Sequence, residues 1–222
     1  MGEGQGSTQP PENLNRLSRL NISCLFILCP WVERDKKSMP IDLAEFKELD
    51  AYAQKVNVKD SVENLVSVLL QKAHSDLEKV RAIWVWICHH IEYDEEGCRD
   101  REKLALKPTD VLRSGKTICS GYSLLFAKMC SLAGIRCRYL VGRTRNMKRH
   151  AWNAVYLDGK WHLLDCTWGR CGILGRCNDY YFLTHPVLFV ENHLPDDPKW
   201  LLLKQIMMCA AVAFISKRKA QN

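Results

Sequence analysis

The sequence predicts an α+β fold, with helices in the first part of the chain and an antiparallel sheet after them. Three observations carry that expectation. Apolar residues recur at three- and four-residue steps between Asp42 and Gly134, the period changes to two after Gly134, and Asp158-Gly159 separates two strand-like runs. A chain of 222 residues suffices for one sizeable domain with flanking segments, and 47% hydrophobic against 26% charged residues is the balance of a globular protein.

Residues 1–41 read as an irregular lead-in broken by Pro10, Pro11, Pro30 and Pro40. Asp42 is placed to cap a helix whose apolar stripe is Leu43, Phe46, Leu49, Ala53 and Val56. Asp60 or Ser61 starts a second helix, with Val62, Leu65, Val66, Leu69 and Leu70 on one side. Ser75-x-x-Glu78 reads as a capping box opening a third, through Val80, Ile83, Trp84 and Ile87 toward Tyr93. Pro108 opens a short helix that ends at Ser114-Gly115. From Cys119 the apolar residues Tyr122, Leu125, Phe126, Met129 and Leu132 repeat at helical spacing and stop at Gly134. Ile135 to Val141, His150 to Leu157, Lys160 to Asp165 and Tyr180 to Leu183 read as strands. The domain expected from this pattern spans 42–199, followed at 200–222 by an apolar and then basic tail.

Composition narrows the partners. A net charge of +7 is a moderate bias, without the dense basic face interleaved with aromatics that nucleic-acid binding requires. Residues 1–13 lack the layout of a secretion signal, so the 11 cysteines are expected as reduced thiols in a cytoplasmic protein. No C-x-x-C occurs, and Cys166, Cys171 and Cys177 are too loosely spaced for a zinc knuckle; neither metal nor cofactor is expected. The apolar runs Ile22 to Trp31 and Ile206 to Ile215 are about half the roughly 20 residues of a membrane span. A buried or truncated element is the preferred reading of the second, with a tail anchor, flanked by Lys217-Arg218-Lys219, as the alternative.

Cys119 is the candidate nucleophile. At a helix N-terminus it meets the positive end of the helix dipole and unpaired N–H groups, which favour the thiolate, and Ser120-Gly121 are small enough for a substrate backbone to come close. If Asp158-Gly159 is a two-residue turn, Leu157 pairs with Lys160, Tyr156 with Trp161, and Trp152 with Asp165. His150 then lies diagonal to Asp165 on one sheet face, about 7–8 Å away between Cα atoms. A three-residue turn would put the two on opposite faces. Cys119, His150 and Asp165 together suit thiol catalysis, with a thiolate nucleophile, an imidazolium to protonate the leaving amine, and a carboxylate to orient the ring. The Cys119 N–H is the expected oxyanion donor, with Trp86, Tyr93 and Trp152 as candidates for a second.

Five blocks now carry a resemblance. They are Ser114-Gly-Lys-Thr-Ile-Cys119-Ser-Gly-Tyr122, Ala133-Gly-Ile135, His150-Ala-Trp-Asn-Ala154, Gly159-Lys-Trp-His162 and Asp165-Cys-Thr-Trp168-Gly. In that order they resemble the transglutaminase-like superfamily, and within it the kyphoscoliosis-type peptidases, over about Leu43 to Trp200. The resemblance implies a papain-like cysteine site, a protein substrate, and a cytoskeletal or sarcomeric setting. Ile118-Cys119-Ser120 replaces the Gln-Cys-Trp of calcium-dependent transglutaminases, and no acidic calcium cluster is found, both of which argue against efficient crosslinking. The expected activity is hydrolysis of a protein amide through a thioester; a transamidase, or a cytoskeletal adaptor using the same fold, is the alternative. Arg136, Arg138, Arg143, Arg145, Lys148 and Arg149 occur without an acidic residue among 136–149. A solvated strand edge is the favoured reading of that cluster and attraction of acidic substrates the other.

Overall fold

A computed structural model describes residues 37–100, 104–170 and 177–203. Most of the lead-in, including the run at 22–31, and the tail from 204 lie outside the described residues.

The helix starts are set by their caps. Asp42 accepts the Ala44 N–H at 2.9 Å and begins a 3-10 turn that passes into α1 (Lys47–Lys55). Ser61, not Asp60, caps α2 (Val62–Leu69), accepting the Asn64 N–H at 3.0 Å. The capping box at Ser75 and Glu78 opens α3 (Asp76–His90), with reciprocal bonds of 3.2 and 2.9 Å. Val80 to Cys88 of α3 are all buried, so this helix runs through the core, and its one buried cation, Arg81, is paired with Asp50 and Asp179. β1 (Glu92–Tyr93) follows and pairs in parallel with β2 (Lys116–Thr117), on either side of α4 (Pro108–Ser114), which ends at Gly115 with φ +68°. α5 (Cys119–Leu132) closes the helical part.

The sheet contains β3 (Cys137–Thr144), β4 (Arg149–Leu157), β5 (Lys160–Leu164) and β6 (His193–Pro195) in the order β5-β4-β3-β6, each pair antiparallel. Asp158 and Gly159 take φ of +48° and +79°, as a type I′ turn demands, and the register is the expected one: Leu157↔Lys160 and Tyr156↔Trp161. β3 starts two residues beyond Ile135 and reaches Thr144, because β6 covers its last three residues. The strand expected at Tyr180 to Leu183 is absent. A 3-10 turn capped by Asn178 spans Asp179–Tyr181, and Leu183 takes a left-handed φ of +48°, so the backbone is not extended through this segment.

The sheet is covered on both faces. Val155, Leu157 and Leu164 join the helices in the main core, and Asn153 Nδ2 donates to the Ser123 carbonyl of α5 at 3.0 Å. Leu140, Trp152, Ala154 and Leu163 face the other way, onto Phe189 of α7 (Pro186–Phe189), which comes after the one-turn α6 (Cys166–Gly169). Cys88, Cys98, Cys119, Cys130, Cys137 and Cys166 are free thiols, whereas Cys177 is disulfide-bonded, which corrects the expectation of thiols throughout. Sequence spacing does not reveal which sulfurs approach each other in space. Among the described residues no helix is long and apolar enough to cross a membrane.

Candidate active site

Cys119 is the first residue of α5, and no side chain caps that end. The first-turn N–H groups therefore point their partial positive charge at whatever lies beyond the helix. The body of α5 packs on the Asn153 face of the sheet, while His150 and Trp152 belong to the other face. Cys119 and His150 still meet, because the helix presents its first residue at the end of β4 that His150 occupies: each side chain acts on the other's ionisation, and the Ala151 backbone N–H also favours a charged sulfur.

The rest of the chain of contacts is short. His150 Nε2 donates to Asp165 Oδ2 at 2.7 Å, which leaves Nδ1 as the ring nitrogen free for the sulfur. Asp165 follows β5 and caps α6, so its other oxygen, Oδ1, accepts the Thr167 and Trp168 N–H groups at 2.7 and 3.2 Å. The structure thus brings together Cys119, His150 and Asp165, and the His–Asp bond follows from the hairpin register.

A fourth member was not anticipated. His193, on β6, donates Nε2–H to the same Asp165 Oδ2 at 2.9 Å and is buried. A three-residue strand carries no periodicity to announce it, and only its pairing with Thr144 of β3 brings it to Asp165. Phe189 stacks on its ring at 3.9 Å, and Trp168 packs against both histidines, with centroids 4.9 Å from His150 and 4.5 Å from His193. The His150, Asp165 and His193 ligand atoms lie within 4.8 Å of one another. Their 2.7 and 2.9 Å separations are hydrogen bonds converging on one oxygen, not ligands spaced around an ion.

Electrostatics follow the geometry. Burial opposes the charged form of Cys119, but the His150 hydrogen bond and charge, with the Ala151 N–H, outweigh it and lower the thiol pKa. Burial likewise works against a charged His150, and Asp165 and Cys119 overcome it, raising the ring to about 9. For Asp165 burial pushes upward, and the two histidines hold it well below the usual carboxylate range. His193 goes the other way. Burial dominates and keeps its ring below the ordinary value, in the neutral form, despite its bond to Asp165.

A cleft of about 320 Å³ opens over Cys119, His150 and Trp168, lined also by Tyr93 and by the turn between β3 and β4. Of the three aromatics considered as oxyanion donors, only Tyr93 lines it. Trp86 Nε1 donates to the Val56 carbonyl at 2.9 Å in the core, and Trp152 packs against His193 on the far face. Gly121 does not serve substrate approach, since a Cβ there would meet Thr117 Oγ1; its small size lets α5 pack against β2.

The comparisons agree with this architecture. The family model of the transglutaminase-like superfamily matches residues 63–166. Kyphoscoliosis peptidase of Mus musculus is 50% identical over 194 residues, covering 79% of this chain and 29% of the relative. The Homo sapiens kyphoscoliosis peptidase is 48% identical over the same length with the same coverage. Hillarin of Drosophila melanogaster is 29% identical over 199 residues, 74% of this chain and 24% of the relative. The chain therefore spans less than a third of the length of these curated relatives.

Proposed function

We propose that this chain, which belongs to the transglutaminase-like superfamily, is a cysteine-type hydrolase of protein amide bonds. One observation carries the reading: a thiol with lowered pKa shares a cleft with an imidazole raised to about 9, whose other nitrogen is hydrogen-bonded at 2.7 Å to a buried carboxylate. A thiol pKa lowered beside an imidazole pKa that is raised favours a thiolate–imidazolium pair, the resting state of a thiol nucleophile.

The steps follow from the atoms. The Cys119 sulfur attacks the amide carbonyl, a C–S bond forms, and the oxyanion is met by the Cys119 N–H at the uncapped start of α5. Tyr93, kept neutral because burial raises its pKa, supplies a second donor. The His150 Nδ1 proton passes to the departing amine as the C–N bond breaks. The now neutral ring then takes a proton from water, hydroxide attacks the thioester, and the acid leaves with the thiolate restored. The cytoskeletal or sarcomeric substrate, and the cytoplasmic setting, belong to this proposal and rest on the resemblance to kyphoscoliosis-type peptidases.

The test is limiting iodoacetamide on the native protein near neutral pH, with sites read by mass spectrometry. Cys119 is expected to react first, and His150→Ala to abolish the preference. If Cys119 reacts no faster than the other thiols, the enzymatic reading fails. Incorporation of a labelled amine into a glutamine peptide, in place of hydrolysis, would reassign the activity as transamidation.

A further inference from the structure

The six cations between 136 and 149 divide into two groups. Arg136, which precedes β3 and stacks on Tyr156 at 3.5 Å, and Arg138, within β3, lie at the end of the strand that β6 leaves uncovered, where charge discourages edge-to-edge pairing. Edge protection does not account for the rest, because β6 pairs with β3 over 142–144. Arg149 is neutralised by both oxygens of Asp196, at 2.9 and 2.7 Å, and Arg143 Nη1 donates to the Met147 carbonyl at 3.1 Å. Arg145 and Lys148 are left. Both are exposed, both line the cleft that holds Cys119, and neither has an ion pair among the described residues.

The turn that carries them is held in shape. Thr144 N–H donates to the Lys148 carbonyl at 2.9 Å, Met147 N–H to the Thr144 carbonyl at 2.8 Å, and Arg145 N–H to the Asn192 carbonyl at 3.2 Å. Asn146 and Asn192 add side-chain amides to the same lining, and among the described residues no Asp or Glu lines the cleft. A ligand entering there meets two unneutralised cations and two amides beside the thiol. Hydrogen-bond acceptors of negative charge complement that set.

We propose that the cleft selects protein segments carrying Asp or Glu close to the amide that is cleaved, with the carboxylates held by Arg145 and Lys148. The inference deepens the hydrolase reading by naming its substrate class, and its test is made independent of turnover. In the full chain carrying Cys119→Ala, fluorescence anisotropy compares a labelled octapeptide bearing two Glu around a Gln-Gly amide with its counterpart in which both Glu are Gln. The Glu peptide is expected to bind about three- to tenfold tighter at low salt, with the advantage lost near 0.5 M NaCl.

Because the whole chain is cationic, location needs a control. Adding Arg145→Gln and Lys148→Gln should erase the preference, whereas Arg138→Gln with Lys160→Gln, the same charge removed at the other end of the sheet, should retain it. Equal binding of the two peptides, or equal loss in both double variants, overturns the proposal. Failure of Cys119 to show fast alkylation in the unmodified protein would overturn the hydrolase reading while leaving the peptide comparison to stand by itself.

Discussion

Asp165 is fully buried, and its two oxygens accept four donors: the Thr167 and Trp168 N–H groups on one, His150 and His193 on the other. A carboxylate so supplied stays ionised in spite of burial, keeps His150 protonated, and through it favours the Cys119 thiolate. On this reading His193 acts through Asp165 and touches no substrate, so it is a positioning residue. His193→Leu removes one charge-assisted bond, worth about 1.5–3 kcal/mol. Asp165 then loses one of the contacts that hold Oδ2 in line with His150, so the imidazolium is less well supported, His150 releases its proton at lower pH, and Cys119 requires higher pH to ionise. The expected result is an upward shift in the pH midpoint of Cys119 alkylation, recovered in His193→Gln, whose amide offers a donor at similar reach. Iodoacetamide rates between about pH 4 and 10 give the profile. An unmoved midpoint in the Leu variant would mean that Asp165 needs no second histidine.

Two short backbone features carry the site at the level of elements. The Asp158-Gly159 turn sets the register that puts His150 and Asp165 on one face, and a shift of one residue would separate them. Gly142 sets the other half. A Cβ at this position would lie 2.1 Å from the Leu194 carbonyl oxygen and 2.6 Å from the Trp152 ring, so only glycine lets β6 close against β3. His193 reaches Asp165 from that strand. Gly142→Ala should therefore cost about 2 kcal/mol of stability through overpacking and also shift the Cys119 alkylation profile as His193→Leu does. Urea unfolding and the same alkylation series read the two effects. A stability loss without the pH shift would dissociate β6 from the site.

At the scale of the whole molecule, the site links folding to pH. The Asp165 pKa is lowered from 3.8, so its contribution to stability is present above that value and disappears as pH falls through the folded one. The His150 pKa is raised from 6.5 to about 9, so its contribution is complete below 6.5 and disappears as pH rises through 9. Both act together between about pH 4 and 6.5. The difference in thermal midpoint between the native protein and His150→Gln should be largest in that window and shrink toward pH 9, as followed by circular dichroism. A difference that stays constant across the range would show that the pair contributes nothing to stability. The remaining support is apolar: the sheet is buried by the helices on one face and by Phe189 on the other, which leaves the cleft at one end of its strands.

Local chemistry was legible in the sequence, and contacts between distant segments were not. Ser61, Ser75 and Glu78 act within three residues of themselves, so their caps can be read from spacing alone. The same holds for the Asp158-Gly159 turn, whose left-handed backbone dictates a two-residue loop and hence the His150–Asp165 register. Cys119 could be placed at a helix start by periodicity, but its meeting with His150 depends on how α5 lies across the sheet, and no local rule supplies that. His193 is not legible because a three-residue strand depends on pairing with β3 rather than on its own pattern, and Tyr180 to Leu183 departs from its strand-like composition because the Asn178 cap starts a 3-10 turn there and Leu183 is left-handed. By itself the sequence determined the α+β class and two ingredients of the site, the turn and the helix start, because both are set by short-range backbone preferences. Only the tertiary structure decided that one buried carboxylate would serve two histidines, since that requires four strands, β5-β4-β3-β6, to be brought into register by packing.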